Sequence, residues 1–173
     1  MGEYAVIIGE ALIDSISYSG GHRMSLGGGP FNLAITLGSI GVDTRFVSSI
    51  SNDFSGKKLL RELGKSGVDS SFSVTSDLPT TIARVETDER GGVGFSFETD
   101  GTSIIEIIPE KRIVRSLEGA SCIGIGSLGI LIDGSREASR FALENADETV
   151  VVFLDPNIRP EIIESGPGED SFR

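Results

Sequence analysis

Apolar residues recur along this chain in two rhythms, one of short runs and one of helical stripes. Tyr4-Ala5-Val6-Ile7-Ile8-Gly9 is a short apolar run closed by a turn former, the pattern of a strand buried on both faces. Asp14 to Tyr18 alternates polar and apolar, as a half-exposed strand does, and Ser19-Gly20-Gly21-His22 turns it back. From Pro30 to Ile40, Leu33, Leu37 and Ile40 fall at i, i+4 and i+7, which predicts one apolar helical stripe. Ala34, Gly38 and Gly41 are small enough for that helix to lie close against a sheet, and Gly41 suits its end. Thr44 to Ile50 predicts the next strand. Ser55 to Lys65 predicts a helix with Leu59, Leu60 and Leu63 on one face, stopping at Gly67.

Between Thr80 and Phe97 the pattern becomes that of a hairpin, with the turn-rich residues 88–94 between two extended runs. A strand over Ser121–Ser127, a helix over Ser135–Asn145 and a strand over Thr149–Asp155 follow. The last is nearly all apolar, which predicts a central parallel strand covered on both faces. Strands alternating with helices predict an α/β domain over residues 1–173, a mostly parallel sheet flanked by helices. Residues 14–26 and 80–100 fit a separate small β-layer.

Composition narrows the functional classes. With 173 residues the chain is one domain's worth, and 38% apolar and 24% charged residues are ordinary for a globular protein. A formal net charge of −11 argues against nucleic acid or an anionic membrane as a partner. Cys122 has no second cysteine to pair with and lies among apolar residues, which fits a buried thiol in a reducing compartment. The start lacks the basic and apolar regions of a signal peptide, and no later run is long enough to span a bilayer. The expectation is a soluble cytoplasmic protein. One Cys and one His leave no Cys/His metal site, and none is expected in this chain.

The chemistry gathers at Ser25-Leu26-Gly27-Gly28-Gly29-Pro30-Phe31-Asn32-Leu33-Ala34, with Asp14 upstream. Three glycines leave backbone N–H groups uncovered by any Cβ, and Pro30 suits a first helical turn. This fits a loop that binds a polar ligand at the positive end of a helix, and equally a connector before a core helix. Gly124-Ile125-Gly126-Ser127-Leu128-Gly129 is a literal G-x-G-x-x-G, which leaves a nicotinamide-dependent enzyme as a third-ranked reading. The next helix is better started by Asp133-Gly134-Ser135, away from those glycines. His22 reads as a solvated turn residue rather than a catalytic base.

Four stretches together resemble the N-terminal half of the ribokinase-like (PfkB-type) carbohydrate kinases, in particular fructokinase-like members. They are Gly9-Glu10-Ala11-Leu12-Ile13-Asp14, then Gly27-Gly28-Gly29-Pro30-Phe31-Asn32-Leu33-Ala34, then Ile50-Ser51-Asn52-Asp53-Phe54-Ser55-Gly56 with Leu63-Gly64-Lys65-Ser66-Gly67-Val68-Asp69, and Asp155-Pro156-Asn157-Ile158-Arg159-Pro160. The resemblance implies ATP-dependent phosphorylation of a sugar hydroxymethyl group, with Mg²⁺ accompanying the ATP.

It further implies that Asp14 holds vicinal hydroxyls, as an ionised carboxylate that accepts several hydrogen bonds can. Gly28 and Gly29 would offer backbone N–H groups to the sugar, and Asn32 both a donor and an acceptor. Phe97 would cover the sugar from the small β-layer, a lid in the family, or serve as that layer's own core. Asn157 and Arg159 would face sugar and phosphate, with Arg159 a possible stabiliser of the transferred group. Asp53 reads as structural, holding a turn before the helix at Ser55.

Two departures from the family pattern stand out. Ser51 replaces a usual glycine, and near Gly56 the phenylalanine and its neighbour are exchanged in order. The family's catalytic aspartate in Gly-Ala-Gly-Asp, its Asn-x-x-Glu motif and its ATP loops have no counterpart in these 173 residues. The expectation is therefore a truncated kinase chain, inactive alone, paired as a homodimer through the lid. The alternative is a short non-catalytic paralogue that binds a sugar or a kinase subunit. Fructose leads as substrate, while ribose, a deoxy-keto-gluconate and a nucleoside stay open.

Overall fold

Val6 and Ile8 point to one side of their strand while Ala5 and Ile7 point to the other, and both pairs are buried. That two-sided burial sets the architecture: a parallel sheet between two helical layers. The computed structural model of the chain describes residues 3–18, 20–87 and 93–157. Its elements run β1 Tyr4–Ile8, β2 Leu12–Tyr18, β3 Gly21–Gly27, α1 Gly29–Ser39, β4 Thr44–Val47, β5 Ser49–Ser51, α2 Phe54–Lys65 and β6 Val74–Ser76. Then come β7 Ile82–Thr87, β8 Val93–Glu98, α3 Glu110–Leu117, β9 Ala120–Gly126, α4 Asp133–Asn145 and β10 Val151–Asp155.

The main sheet has the order β10-β9-β1-β4, all parallel. Ala5 and Ile7 pack with Phe31 and Ala34 of α1 and with Leu59 and Leu63 of α2. Val6 and Ile8 pack with Ile113 of α3 and with Ala138 and Ala142 of α4. A second, mixed sheet runs β3-β2-β7-β8, so the two off-pattern stretches of sequence do pair with each other. Leu12, Ala83, Ile104 and Leu128 form the core beneath it. β5 and β6 make a third, two-stranded sheet.

Several expectations change. The strand expected over Thr44–Ile50 is divided at Ser48, and its second part leaves the main sheet to pair with β6. In α1 the buried centre is Phe31 and Ala34, while Leu33 and Leu37 are half-buried and Ile40 is exposed. Gly38 meets the turn after α2 rather than the sheet: a Cβ there would lie 2.8 Å from Val68 Cγ2 and against the Ser66 carbonyl. His22 sits on β3, not in the turn, and its Nε2 lies 2.7 Å from Ser15 Oγ. β10 is the largest correction. It is an edge strand, and all five residues are exposed rather than covered on both faces, because among the described residues nothing packs beyond it.

Asp53 behaves as expected. It precedes α2, and its carboxylate accepts the Gly56 N–H at 2.7 Å, the Thr80 N–H at 2.8 Å and the Thr80 hydroxyl at 2.7 Å. The helix is thereby capped and tied to the strand entering the second sheet. Burial pushes this carboxyl up, but the hydrogen bonds from Gly56, Thr80 and Ser51 prevail and hold it below the ordinary range. Cys122 is half-buried, and burial pushes its thiol up, away from the reactive thiolate.

Candidate active site

In an open parallel sheet, ligands collect beyond the carboxyl ends of the strands. At that end of β1 the chain turns through Gly9 and Glu10 into β2, and β3 brings it back to start α1. The two passes interlock. Gly9 has φ 148°, and a Cβ there would stand 2.9 Å from Pro30 Cβ. Gly28 has φ 107°, and a Cβ there would stand 2.6 Å from the Glu10 carbonyl oxygen. Only glycine fits either place without strain. The glycine-rich loop is thus pressed onto the end of β1 and opens α1 there, with Pro30 in the first turn.

Asp14 lies in mid-β2, half-buried, opposite Ser25 on one neighbouring strand and Ala83 on the other. Ala83 in turn faces Phe97 on β8. Residues in register on adjacent strands share a face, so Ser25, Asp14, Ala83 and Phe97 form one row, with Asp14 and Phe97 about 10 Å apart at Cα. The Asp14 carboxylate leans over Gly27, where a Cβ would lie 2.7 Å from its Cγ. This glycine makes room for the acid. Phe97 is half-buried against Leu12, Ala83, Ile104 and Leu128, so it serves the core of the small sheet whatever else it does.

The amides behave less simply than expected. Gly29, proposed from sequence to face a sugar, donates its N–H to Glu10 Oε1 at 3.2 Å. Glu10 is only 1% exposed and was missed as a functional candidate. Its signal was available: a lone acid between a buried strand with Gly9 and the apolar Ala11-Leu12-Ile13. Asn32 sits in the first turn of α1 with its N–H on the Gly28 carbonyl at 2.9 Å and an exposed side chain. The positive end of α1 therefore meets the Glu10 carboxylate within the fold, while the Asp14 carboxylate lies over Gly27, two residues before the helix begins.

Asn157 follows β10 on the same carboxyl edge, two strands from β1. It is exposed, holds φ 41° and donates its N–H to Asp155 Oδ1 at 3.1 Å. Arg159 lies outside the described residues. The structure therefore places Asp14 over Gly27 and joins Gly28 and Asn32 at the start of α1 beside Gly29, with Phe97 two strands from Asp14 and Asn157 two strands from β1.

The G-x-G-x-x-G at 124–129 does not open a helix. β9 ends at Gly126, a 3-10 turn follows over Ser127–Ile130, and α4 begins only at Asp133. Gly124 serves packing instead: a Cβ there would stand 2.7 Å from Ile7 Cδ1 and 3.2 Å from Leu33 Cδ2. A cleft of about 180 Å³ lies alongside, between Gly29, Pro30, Leu33, Gly126, Phe153 and Asp155.

Comparison with known proteins meets this geometry at the family level. The sequence profile described as "pfkB family carbohydrate kinase" matches residues 3–169. The chain belongs to that family. It is 31% identical over 164 residues to a fructokinase of Rhizobium leguminosarum bv. trifolii, covering 92% of this chain and 50% of that one. A 5-dehydro-2-deoxygluconokinase of Geobacillus thermodenitrificans is 29% identical over 138 residues, covering 78% of this chain and 41% of the other. The crystal structure of fructokinase from Xylella fastidiosa superposes with a TM-score of 0.78 at 23% identity, covering 93% of this chain and 54% of that one. An uncharacterized sugar kinase from Pyrococcus horikoshii in complex with ATP gives 0.79 at 23% identity, covering 94% and 55%. The chain thus spans about half the length of the relatives it matches, and its α/β fold with a mostly parallel sheet is that of PfkB-type kinases.

Proposed function

We propose that this chain is the sugar-binding part of an ATP-dependent sugar kinase that phosphorylates a hydroxymethyl group, with fructose the leading substrate. The observation that carries this reading is the Asp14 carboxylate seated over Gly27, beside the loop that opens α1. An ionised carboxylate is the side chain best suited to accept from two neighbouring hydroxyls. The Gly28 amide and the exposed Asn32 side chain supply the donors and acceptor a neutral polyol also needs. The names of the relatives, fructokinase above all, favour a ketose. The gluconate-type kinase among them keeps an acidic sugar as the competing substrate, for which Arg159 would be the counter-charge.

In this reading the small β3-β2-β7-β8 sheet is a lid, with Phe97 on its sugar-facing side, and closing it would keep water from the transferring phosphoryl group. Two copies would pair through the same sheet, whose Tyr18 and Met24 are 52% and 54% exposed. Phosphoryl transfer also needs a base for the hydroxyl and charge stabilisation around the phosphate. We assign both, and the ATP site, to residues beyond 173, with Asn157 and Arg159 as the contributions expected of this chain. Among the described residues no group of three or more His, Cys, Asp or Glu could hold a metal. In this reading Mg²⁺ accompanies the nucleotide phosphates. No described helix is long and apolar enough to cross a membrane. Action in the cytoplasm fits the half-buried lone thiol.

The uncovered β10 supports the same account, since an apolar strand exposed along its whole length calls for cover. It also favours the second reading, a subunit-binding protein without catalysis of its own. An ADP-release assay separates the two. The protein extended beyond residue 173 is expected to turn over with D-fructose and ATP, and the 173-residue chain is not. Sugar binding without ADP release by every form of the protein would favour the second reading and overturn the first.

A further inference from the structure

Glu10 is 1% exposed, and an ionised carboxylate so far from water is costly unless hydrogen bonds compensate it. One of its oxygens accepts the N–H of Gly29, the first residue of α1, from nineteen positions away in sequence. That amide has no partner within the helix, because the first turn leaves its N–H groups unpaired. The backbone of the same residue bears on the loop as well: the Glu10 carbonyl oxygen occupies the space a Cβ on Gly28 would need, while Gly9 is closed against Pro30. Residues 9–11 and 28–30 therefore touch at three successive points, and the Glu10–Gly29 contact is a hydrogen bond from a buried carboxylate.

We propose that Glu10 is a positioning residue of the sugar site: its buried carboxylate fixes where α1 begins, and so where the Gly28 amide and the Asn32 side chain face. Gly28 and Asn32 are joined through the Asn32 N–H on the Gly28 carbonyl, so a shift of the first turn moves both together. Glu10 touches no sugar in this arrangement, since it lies beneath the loop. It acts by removing a choice, because Gly-rich backbone has many conformations and a bound sugar is met by one. The consequence for binding rests on the sugar-kinase reading; the consequence for the loop does not.

The test uses Glu10→Met and Glu10→Gln in the protein extended beyond residue 173, with D-fructose and ATP as probes. Methionine keeps the buried volume without an acceptor, so the Gly29 N–H loses its partner and some stability goes with it. Glutamine keeps an acceptor oxygen. For Glu10→Met we expect a lowered melting temperature with cooperative unfolding retained, amide exchange at residues 28–32 at least about ten-fold faster, and a fructose KM raised about ten-fold with the ATP KM unmoved. Glu10→Gln is expected to lie near wild type in all three.

Wild-type exchange at 28–32 in Glu10→Met would overturn the proposal, and so would acceleration spread evenly over the core. Should Glu10→Met not fold, Glu10→Gln decides, with protection at Gly29 retained supporting the role and protection lost contradicting it. If wild type turns over no sugar, the kinase reading fails while the exchange measurement still judges Glu10.

Discussion

Asp14 and Gly27 are diagonal neighbours across β2 and β3, and the acid's carboxylate fills the volume where a side chain at 27 would begin. The contact makes a glycine on a strand part of the candidate site. Gly27→Ala should push the carboxylate aside without unfolding the small sheet, because residue 27 keeps its strand backbone. We expect the fructose KM to rise about ten-fold or more, consistent with losing one charge-assisted hydrogen bond of roughly 1.5–3 kcal/mol. Steady-state kinetics on the extended protein, with the ATP KM as internal control, would check it.

Asp53 gives a prediction about stability and pH. It caps α2 and binds Thr80, so Asp53→Ala should cost about 1–2 kcal/mol in urea unfolding. Its carboxyl is held below its ordinary value of 3.8, so the folded state favours the ionised form. That contribution is complete above the ordinary value and disappears as pH falls through the lowered one. The stability gap between wild type and Asp53→Asn should be constant from pH 7 to about pH 5 and narrow below about pH 4.

Gly38 sets the approach of α1 to the turn after α2. A Cβ there would collide with the Ser66 carbonyl, which is backbone and cannot swing away. Although alanine is the better helix former, Gly38→Ala should destabilise by about 1–3 kcal/mol through overpacking. Gly64→Ala is the control, with nothing within 4 Å of its Cβ position. Thermal melts of the pair should move in opposite directions.

β10 exposes Val151, Val152, Phe153 and Leu154 at 48–65%. An apolar edge strand invites pairing, so the 173-residue chain should self-associate with concentration. Replacing Val151 and Phe153 together by Lys should suppress this. Sedimentation velocity would show it as a loss of concentration dependence.

Much of the fold was legible because buried parallel strands and amphipathic helices leave strong periodic marks. Val6 and Ile8, or Leu59 and Leu63, could hardly be read otherwise. The α3 helix was overlooked although Pro109 precedes it, Ile113 and Leu117 are spaced for one face, and Gly119 closes it with φ 78°. Its eight residues are otherwise mostly charged, which weakens the apolar stripe. The covering of β10 was misjudged because apolarity reports what a strand needs, not what lies beside it. Of the candidate site, the glycine-rich loop stood out by residue type, and the role expected of Asp14 came from the family resemblance. The engagement of Gly29 by Glu10 was not, since it joins two loops nineteen residues apart that meet only when both sheets have formed.

The central claim is that Asp14 holds the sugar, and Asp14→Asn in the extended protein tests it most directly. Asparagine keeps the shape but replaces one acceptor oxygen by a donor and removes the charge. The account predicts a fructose KM at least about ten-fold higher, with the ATP KM and the melting temperature near wild type. An unchanged fructose KM, or a change confined to ATP, would contradict it.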